Sequence, residues 1–227
     1  MKAIILAAGG STRLGDITKK IPKGLLDING KSIIQRQIDI YKKNGIDEII
    51  IITGPNAECF KFNDVVYVPD ELHDEHEVLA SLMEAREFMD DDFIMSYSDI
   101  VYDENILQQM LDSKDDISIG VDFEWGKRYE NRIQHPKSQA DNVLVKNKKI
   151  VKIKKNISQM KNDQKIGEFI GIIKLSKNGS TYFVKKFLEL KKFHKGKFQN
   201  AKSFKKAYLT DLIQELIDEN KKISYQD

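Results

Sequence analysis

Ala3-Ile4-Ile5-Leu6-Ala7-Ala8-Gly9-Gly10-Ser11-Thr12-Arg13-Leu14 is the stretch that decides how this chain is read. A short apolar run that stops at glycines is the pattern of a buried parallel strand. The small residues after it let backbone N–H groups come close to phosphate oxygens. Arg13 then offers a planar, permanently charged fork. Lys23 follows in Lys20-Ile21-Pro22-Lys23, where the preceding proline holds it and its ammonium can meet charge growing on a phosphate. The loop matches neither G-x-G-x-x-G nor G-x-x-x-x-G-K-[ST], so it is not the usual dinucleotide or ATP loop.

Working outward, apolar runs alternate with helical stripes. Ile33–Asn44 carries Ile34, Ile38 and Tyr41 on one face, with Gly45 placed to end it. Asp47–Thr53, Val65–Val68, Phe93–Tyr97 and Ile117–Val121 read as strands; Glu77–Met89 and Glu104–Ser113 read as helices. This alternation predicts a doubly wound α/β fold with a mainly parallel sheet. The second half changes rhythm. Asn142–Val145 and Ile150–Ile153 read as strands joined by the turn Asn147-Lys148, Glu168–Leu175 as a third strand, and Asn178–Lys192 and Lys202–Asn220 as helices. The expected organisation is one domain, 1–227, with a mainly parallel part over about 1–122 and a small β-rich part over about 123–227.

Composition narrows the function classes. Apolar residues at 41% suffice for a core, against charged residues at 32%. Charge is uneven: residues 1–142 carry a net −11 and residues 143–206 a net +16. The lysines of the basic stretch alternate with apolar residues, which predicts a solvated surface rather than a nucleic-acid site. Cys59 is the single cysteine, so no disulfide forms within the chain and a reducing compartment is expected. The apolar run Ala3–Ala8 is too short for a signal peptide or a membrane span. The expectation is therefore a cytoplasmic protein without a membrane or nucleic-acid partner; a homo-oligomer is left open. His73, His76, His135 and His194 show no metal-ligand spacing, and His73 and His76 are read as part of a solvated acidic loop.

Leu6–Leu14 followed by Pro22-Lys23 resembles the signature of sugar-nucleotide and related nucleotidyltransferases, L-A-A/G-G-x-G-S/T-R-L with P-K about ten residues on. Leu25-Leu26, Gly30-Lys31-Ser32, Gly45-Ile46 and Ile50–Gly54 continue the likeness. In one departure, Ser11 stands where the family has its second glycine, which implies a modest change of loop path. The resemblance implies a Rossmann-like nucleotidyltransferase fold. It also implies Leu6, Ala7, Ala8, Gly9, Gly10, Ser11 and Thr12 at the nucleotide, with Arg13 and Lys23 catalytic. Asp99, beyond the end of strand Phe93–Tyr97, falls where open α/β sheets bind ligands, and the family places a Mg²⁺-binding aspartate there. Asp211, in Ala207-Tyr208-Leu209-Thr210-Asp211-Leu212, resembles its second metal ligand. Lys155 and Glu168 resemble acceptor-side residues, and Ser81 is a candidate contact to the ribose or base.

Ile94–Asp103, Val121–Trp125 and Gly167–Ser176 resemble the phosphocholine and phosphonate cytidylyltransferases, and His135–Asp141 resembles phosphonate-linked members. That branch implies CTP as donor and a head group such as phosphocholine, 2-aminoethylphosphonate or 2-hydroxyethylphosphonate as acceptor. Trp125 then covers a cationic amine, and Arg132 meets the acceptor phosphate or phosphonate. The competing readings are a sugar-1-phosphate nucleotidyltransferase using UTP or dTTP, a regulatory nucleotide-binding module without turnover, and a nucleic-acid binder using the basic stretch Lys185–Lys206. The family usually continues past a position like Asp227 with a strand and a short helix, which suggests either a segment of a longer protein or a short member.

Overall fold

The computed structural model describes residues 1–10, 15, 21–130, 132, 135–158 and 160–227. Lys2–Ala7 forms β1, and Ala3, Ile4 and Ile5 are wholly closed to solvent. Side chains alternate across a strand, so β1 feeds two apolar layers. Ile4 and Leu6 join one, Ala3, Ile5 and Ala7 the other. Asp27–Ile28 (β2) and Lys31–Ser32 (β3) make a small hairpin ahead of helix α1 (Ile33–Lys43). Ser32 caps α1 by accepting from the Gln35 N–H at 3.2 Å. Next come β4 (Ile49–Thr53), β5 (Val66–Pro69), α2 (Val78–Glu84) and β6 (Phe93–Tyr97). In β4, Ile50 and Ile52 face the first layer, Ile49 and Ile51 the second.

The chain continues through α3 (Glu104–Asp112), β7 (Ile117–Asp122), a short α4 (Trp125–Arg128), β8 (Asp141–Lys146), β9 (Lys149–Lys155), β10 (Gln164–Leu175), α5 (Lys177–Phe193), α6 (Leu209–Asp218) and β11 (Ser224–Gln226). The main sheet runs β11-β7-β10-β6-β1-β4-β5, with the β8–β9 hairpin attached to β10. The pairs β1–β4, β1–β6, β4–β5 and β7–β11 are parallel. The doubly wound α/β expectation holds.

The second half departs from its expected boundaries in three places. β10 starts at Gln164, not Glu168, because residues 164–168 pair with β8. It lies antiparallel between β6 and β7 and so joins the hairpin to the parallel core. The helix expected over Lys202–Asn220 is α6 alone. Upstream, Phe198 and Ala201 form an isolated bridge, a 3-10 turn spans Phe204–Lys206, and the Phe204 ring packs on Phe187 and Phe198. Aromatic packing there overrides helix propensity. The last residues form edge strand β11 on β7. Among the described residues no helix is long and apolar enough to cross a membrane.

Candidate active site

The central parallel strands β1 and β6 end on the same edge of the sheet. Leu6, Ala7 and Ala8 are buried there, and Gly9 and Gly10 emerge from it into solvent. Ser11, Thr12 and Arg13 lie outside the described residues. Across this edge Lys23 Nζ donates to Asp99 Oδ2 at 2.6 Å, and both side chains stay partly open to solvent. Two residues 76 positions apart are thus joined where the sheet opens.

Gly24 explains the close fit of the Pro22-Lys23 segment. A Cβ at Gly24 would stand 2.8 Å from the Ser98 carbonyl oxygen and 2.7 Å from Ile34. The segment after Lys23 therefore packs directly on the turn that carries Asp99. From below, α1 holds the same turn. Gln37, 2% exposed, donates from Nε2 to the carbonyls of Tyr97 at 2.9 Å and Ile100 at 2.8 Å. Its Oε1 accepts from Ser96 Oγ at 3.1 Å, and Ser96 in turn accepts from the Tyr41 hydroxyl at 2.8 Å. Burial pushes the Tyr41 hydroxyl up to about 12, so it stays a donor. Gln37 was not identified from sequence. Its signal was available: a polar residue on the apolar stripe of Ile34, Ile38 and Tyr41.

The second group of residues comes from the later elements. Asp211, in the first turn of α6, is 2% exposed. Its Oδ2 accepts from the Tyr208 N–H at 2.8 Å and its Oδ1 from the Asn200 N–H at 3.0 Å. Burial raises its carboxyl above the ordinary value, and the two N–H groups oppose the rise. It therefore caps the helix, while a carboxylate's remaining lone pairs stay available to a ligand. Lys155, at the end of β9, sets its ammonium 4.1 Å from the centre of the Tyr208 ring.

Asp141 faces Lys155 in the β8–β9 register. Its Oδ1 is closed to solvent and has no hydrogen-bond partner among the described residues. Burial raises this carboxyl to about 6; the Lys155 charge opposes the rise and the Asp211 charge adds to it. Tyr97, on β6, is held well above its ordinary value first by burial, then by the charges of Asp141 and Asp99. Gly171, at φ +84 within the β10 irregularity, makes room for the Tyr97 ring, because a Cβ there would sit 2.5 Å from it. Tyr97 thus lies between the Asp99 side and the Asp141–Asp211 side. The sequence reading had Asp141 only as the end of a resembling segment, not as a site residue.

An aromatic wall closes this end. Trp125 Nε1 donates to the Ile166 carbonyl at 3.1 Å, and its ring meets Tyr129 edge-on at 5.5 Å. The Arg132 guanidinium lies 4.7 Å from the centre of the Tyr129 ring. The Tyr129 hydroxyl donates to Glu168. Burial raises the Glu168 carboxyl, with the Tyr129 hydroxyl and the Arg132 charge opposing. Trp125, Tyr129, Arg132 and Glu168 are therefore one cluster. Ser81 is buried in α2, and among the described residues no side-chain hydrogen bond ties it to this cluster.

The histidine reading needs correction. His76 is 8% exposed rather than solvated, because its ring is drawn in by the buried Asp70 carboxylate.

Asp99, Asp141 and Asp211 offer only oxygen donors, the chemistry of a hard cation such as Mg²⁺, but among the described residues their ligand atoms do not gather within 4.8 Å of one another as a three-carboxylate site.

Comparison with known proteins gives this geometry a family. The family model of the MobA-like NTP transferase domain matches residues 3–147. CTP:phosphoglutamine cytidylyltransferase of Campylobacter jejuni is 28% identical over 229 residues, spanning 96% of this chain and 88% of that protein. Choline-phosphate cytidylyltransferase of Haemophilus influenzae is 34% identical over 110 residues, 47% of each chain. The solved structure of CTP:phosphocholine cytidylyltransferase from Streptococcus pneumoniae superposes with a TM-score of 0.69 at 21% identity, covering all of this chain and 90% of that one. The match over most of the chain, together with the shared fold, places the protein in the family of MobA-like NTP transferase domains: it is a nucleotidyltransferase.

Proposed function

We propose that the protein transfers a cytidylyl group from CTP to a small acceptor bearing a phosphate or phosphonate, and releases pyrophosphate. Phosphocholine, 2-aminoethylphosphonate and 2-hydroxyethylphosphonate represent the acceptor class. The observation that carries the reading is the Lys23–Asp99 contact of 2.6 Å at the open edge of the sheet. The named activities of the relatives support the cytidylyl choice.

In this mechanism an acceptor oxygen attacks the α-phosphorus of CTP. A new P–O bond forms as the bond to the β-phosphate bridging oxygen breaks, and pyrophosphate leaves in line. Lys23 stabilises charge on the triphosphate, with Arg13 of the glycine-rich loop assigned the same task by its motif. By the family motif Asp99 and Asp211 would hold Mg²⁺, which when bound would neutralise triphosphate charge. Lys155 and Arg132 attract the anionic end of the acceptor, and the Trp125–Tyr129 wall with Glu168 receives its head group. Catalysis is then positioning and electrostatics rather than covalent chemistry.

The test is pyrophosphate release with each of the four NTPs and Mg²⁺ over an acceptor panel. The panel holds phosphocholine, phosphoglutamine, both phosphonates and glucose-1-phosphate. Release with CTP and a head-group acceptor is expected. Release only with UTP or dTTP and the sugar phosphate would move the protein to the sugar branch. Nucleotide binding without release across the panel would favour a regulatory module.

A further inference from the structure

A second group of ligating side chains lies on the same edge of the sheet as Lys23 and Asp99, at the end of β5, three strands along from β6. Asp70 follows β5 directly, and its N–H donates to the Thr53 carbonyl at 2.8 Å, which continues the β4–β5 alignment by one residue. Its side chain is fully buried. His76 sits in the connection to α2, and its Nε2 lies 2.9 Å from both Asp70 oxygens. Glu84, in the last turn of α2, brings a carboxylate oxygen to the same place. One ligand atom from each of the three residues falls within 4.8 Å of the others. Yet Glu84 has no hydrogen bond or ion pair with any described residue.

A buried Asp–His pair by itself is a common structural hydrogen bond. The third residue changes the reading. A half-buried carboxylate left without a partner beside a closed Asp–His pair is an arrangement that a cation completes. Bonds of roughly 2.0–2.2 Å from imidazole nitrogen and carboxylate oxygen to Zn²⁺ put ligand atoms somewhat over 3 Å apart. The 2.9 Å pair would open slightly and Glu84 would close in from within 4.8 Å, within the reach of a side-chain rotation. One imidazole with two carboxylates suits a borderline first-row ion, whereas carboxylates alone suit a hard one.

The geometry points to a second divalent-metal site, formed by Asp70, His76 and Glu84 and selective for a Zn²⁺-type ion. Its three ligands come from the end of β5, the connection and α2, so an ion there fixes the path of residues 71–77. That connection already meets the segment before Asp211: Lys205 pairs with Glu75 at 2.6 Å, and Lys206 approaches Glu77 at 3.8 Å. The ion therefore braces the connection against the segment that leads into α6.

The experiment uses the full chain, stripped with chelator and titrated with Zn²⁺ by calorimetry, and with Co²⁺ by visible absorption. Expected are one Zn²⁺ per chain, a Co²⁺ d–d band, and a rise in melting temperature on Zn²⁺ addition. Glu84→Gln keeps the Asp70–His76 pair and removes a ligand that has no other partner. It should melt at the wild-type temperature without metal and bind Zn²⁺ at least tenfold more weakly. Asp99→Asn should leave this binding intact, which separates it from the Lys23–Asp99 site on the same edge. Wild-type protein that binds no Zn²⁺, Glu84→Gln that binds as tightly as wild type, or binding lost in Asp99→Asn instead would each overturn the assignment.

Discussion

The two halves of the site are assembled differently. On the proposed nucleotide side the parts come from short sequence-local units: the strand and loop Lys2–Gly10, the segment Pro22–Gly24, and the turn after β6. One direct ion pair and one buried glutamine join them. On the proposed acceptor side the parts come from α4, β8, β9, β10 and α6, brought together by antiparallel registers, a cap and side-chain bonds between distant elements. The first kind of site is a motif carried on a parallel core. The second is made by long-range pairing, and its charged groups are buried against one another rather than set out in a signature. A motif can be read in a line of sequence, whereas a register cannot.

The largest effect should fall on the motif side. Lys23→Ala removes one preorganised charge donor from the triphosphate, and turnover should drop by about 10²–10³, roughly 2.7–4 kcal/mol in the barrier. The check is pyrophosphate release at saturating CTP. A change confined to the KM for CTP would mean that Lys23 binds ground state and transition state alike, and the two halves would then differ less than their geometry suggests.

The next prediction concerns Asp141. Its carboxyl is raised by burial from 3.8 to about 6. Between those values the folded state holds a proton that the unfolded state has released. Stability must therefore fall as pH rises through this window and stay lower above it. Asp141→Asn removes the cost of a buried charge and should stabilise the metal-free protein at pH 7.5 by up to about 3 kcal/mol. The gain should vanish at pH 3.5. The same variant should lose activity, which marks the carboxylate as kept for function rather than stability. Denaturant melts at the two pH values decide it, and a stability difference that does not change with pH would overturn the assignment.

Gln37→Leu probes how the motif side is supported. It leaves the carbonyls of Tyr97 and Ile100 without their buried donor, at a cost of about 1–3 kcal/mol. Because those carbonyls flank Asp99, turnover should fall with CTP and acceptor both saturating. A stability loss with full turnover would show that the Lys23–Asp99 pair holds the turn unaided.

The same contrast explains what could be read in advance. β1, β6 and the placement of Lys23 and Asp99 at the open edge of the sheet were legible because a buried strand is a local apolar run and ligands of such sheets sit beyond the strand ends. The antiparallel entry of β10 was not, since nothing in Gln164–Leu175 states which neighbour it will meet. The Lys202–Asn220 segment read as one helix because its apolar spacing is helical throughout; ring packing among Phe187, Phe198 and Phe204 breaks it. His76 read as solvated because its neighbours in sequence are acidic, whereas its partner, Asp70, is buried at the sheet edge. Asp141 was overlooked for the same reason: its role depends on Lys155 and Asp211, which only the hairpin and α6 bring near.

The smallest effect expected is also the most selective. Trp125 combines a structural bond, Nε1 to the Ile166 carbonyl, with a ring edge-on to Tyr129 at 5.5 Å. If the wall receives a cationic head group, the ring contributes about 0.5–2 kcal/mol of cation–π attraction. Trp125→Ala should then raise KM for phosphocholine by roughly 2–30-fold and leave KM for CTP unchanged. Trp125→Phe loses the same Nε1 bond but keeps an aromatic face. A recognition role therefore predicts that Phe restores most of the acceptor affinity, while a packing role predicts equal damage from Phe and Ala. An acceptor with a neutral head group, such as 2-hydroxyethylphosphonate, should be almost indifferent to either change. Equal losses for cationic and neutral head groups would make Trp125 a support for β10 rather than a contact, and the acceptor half would then have to be read from its carboxylates and Arg132 alone.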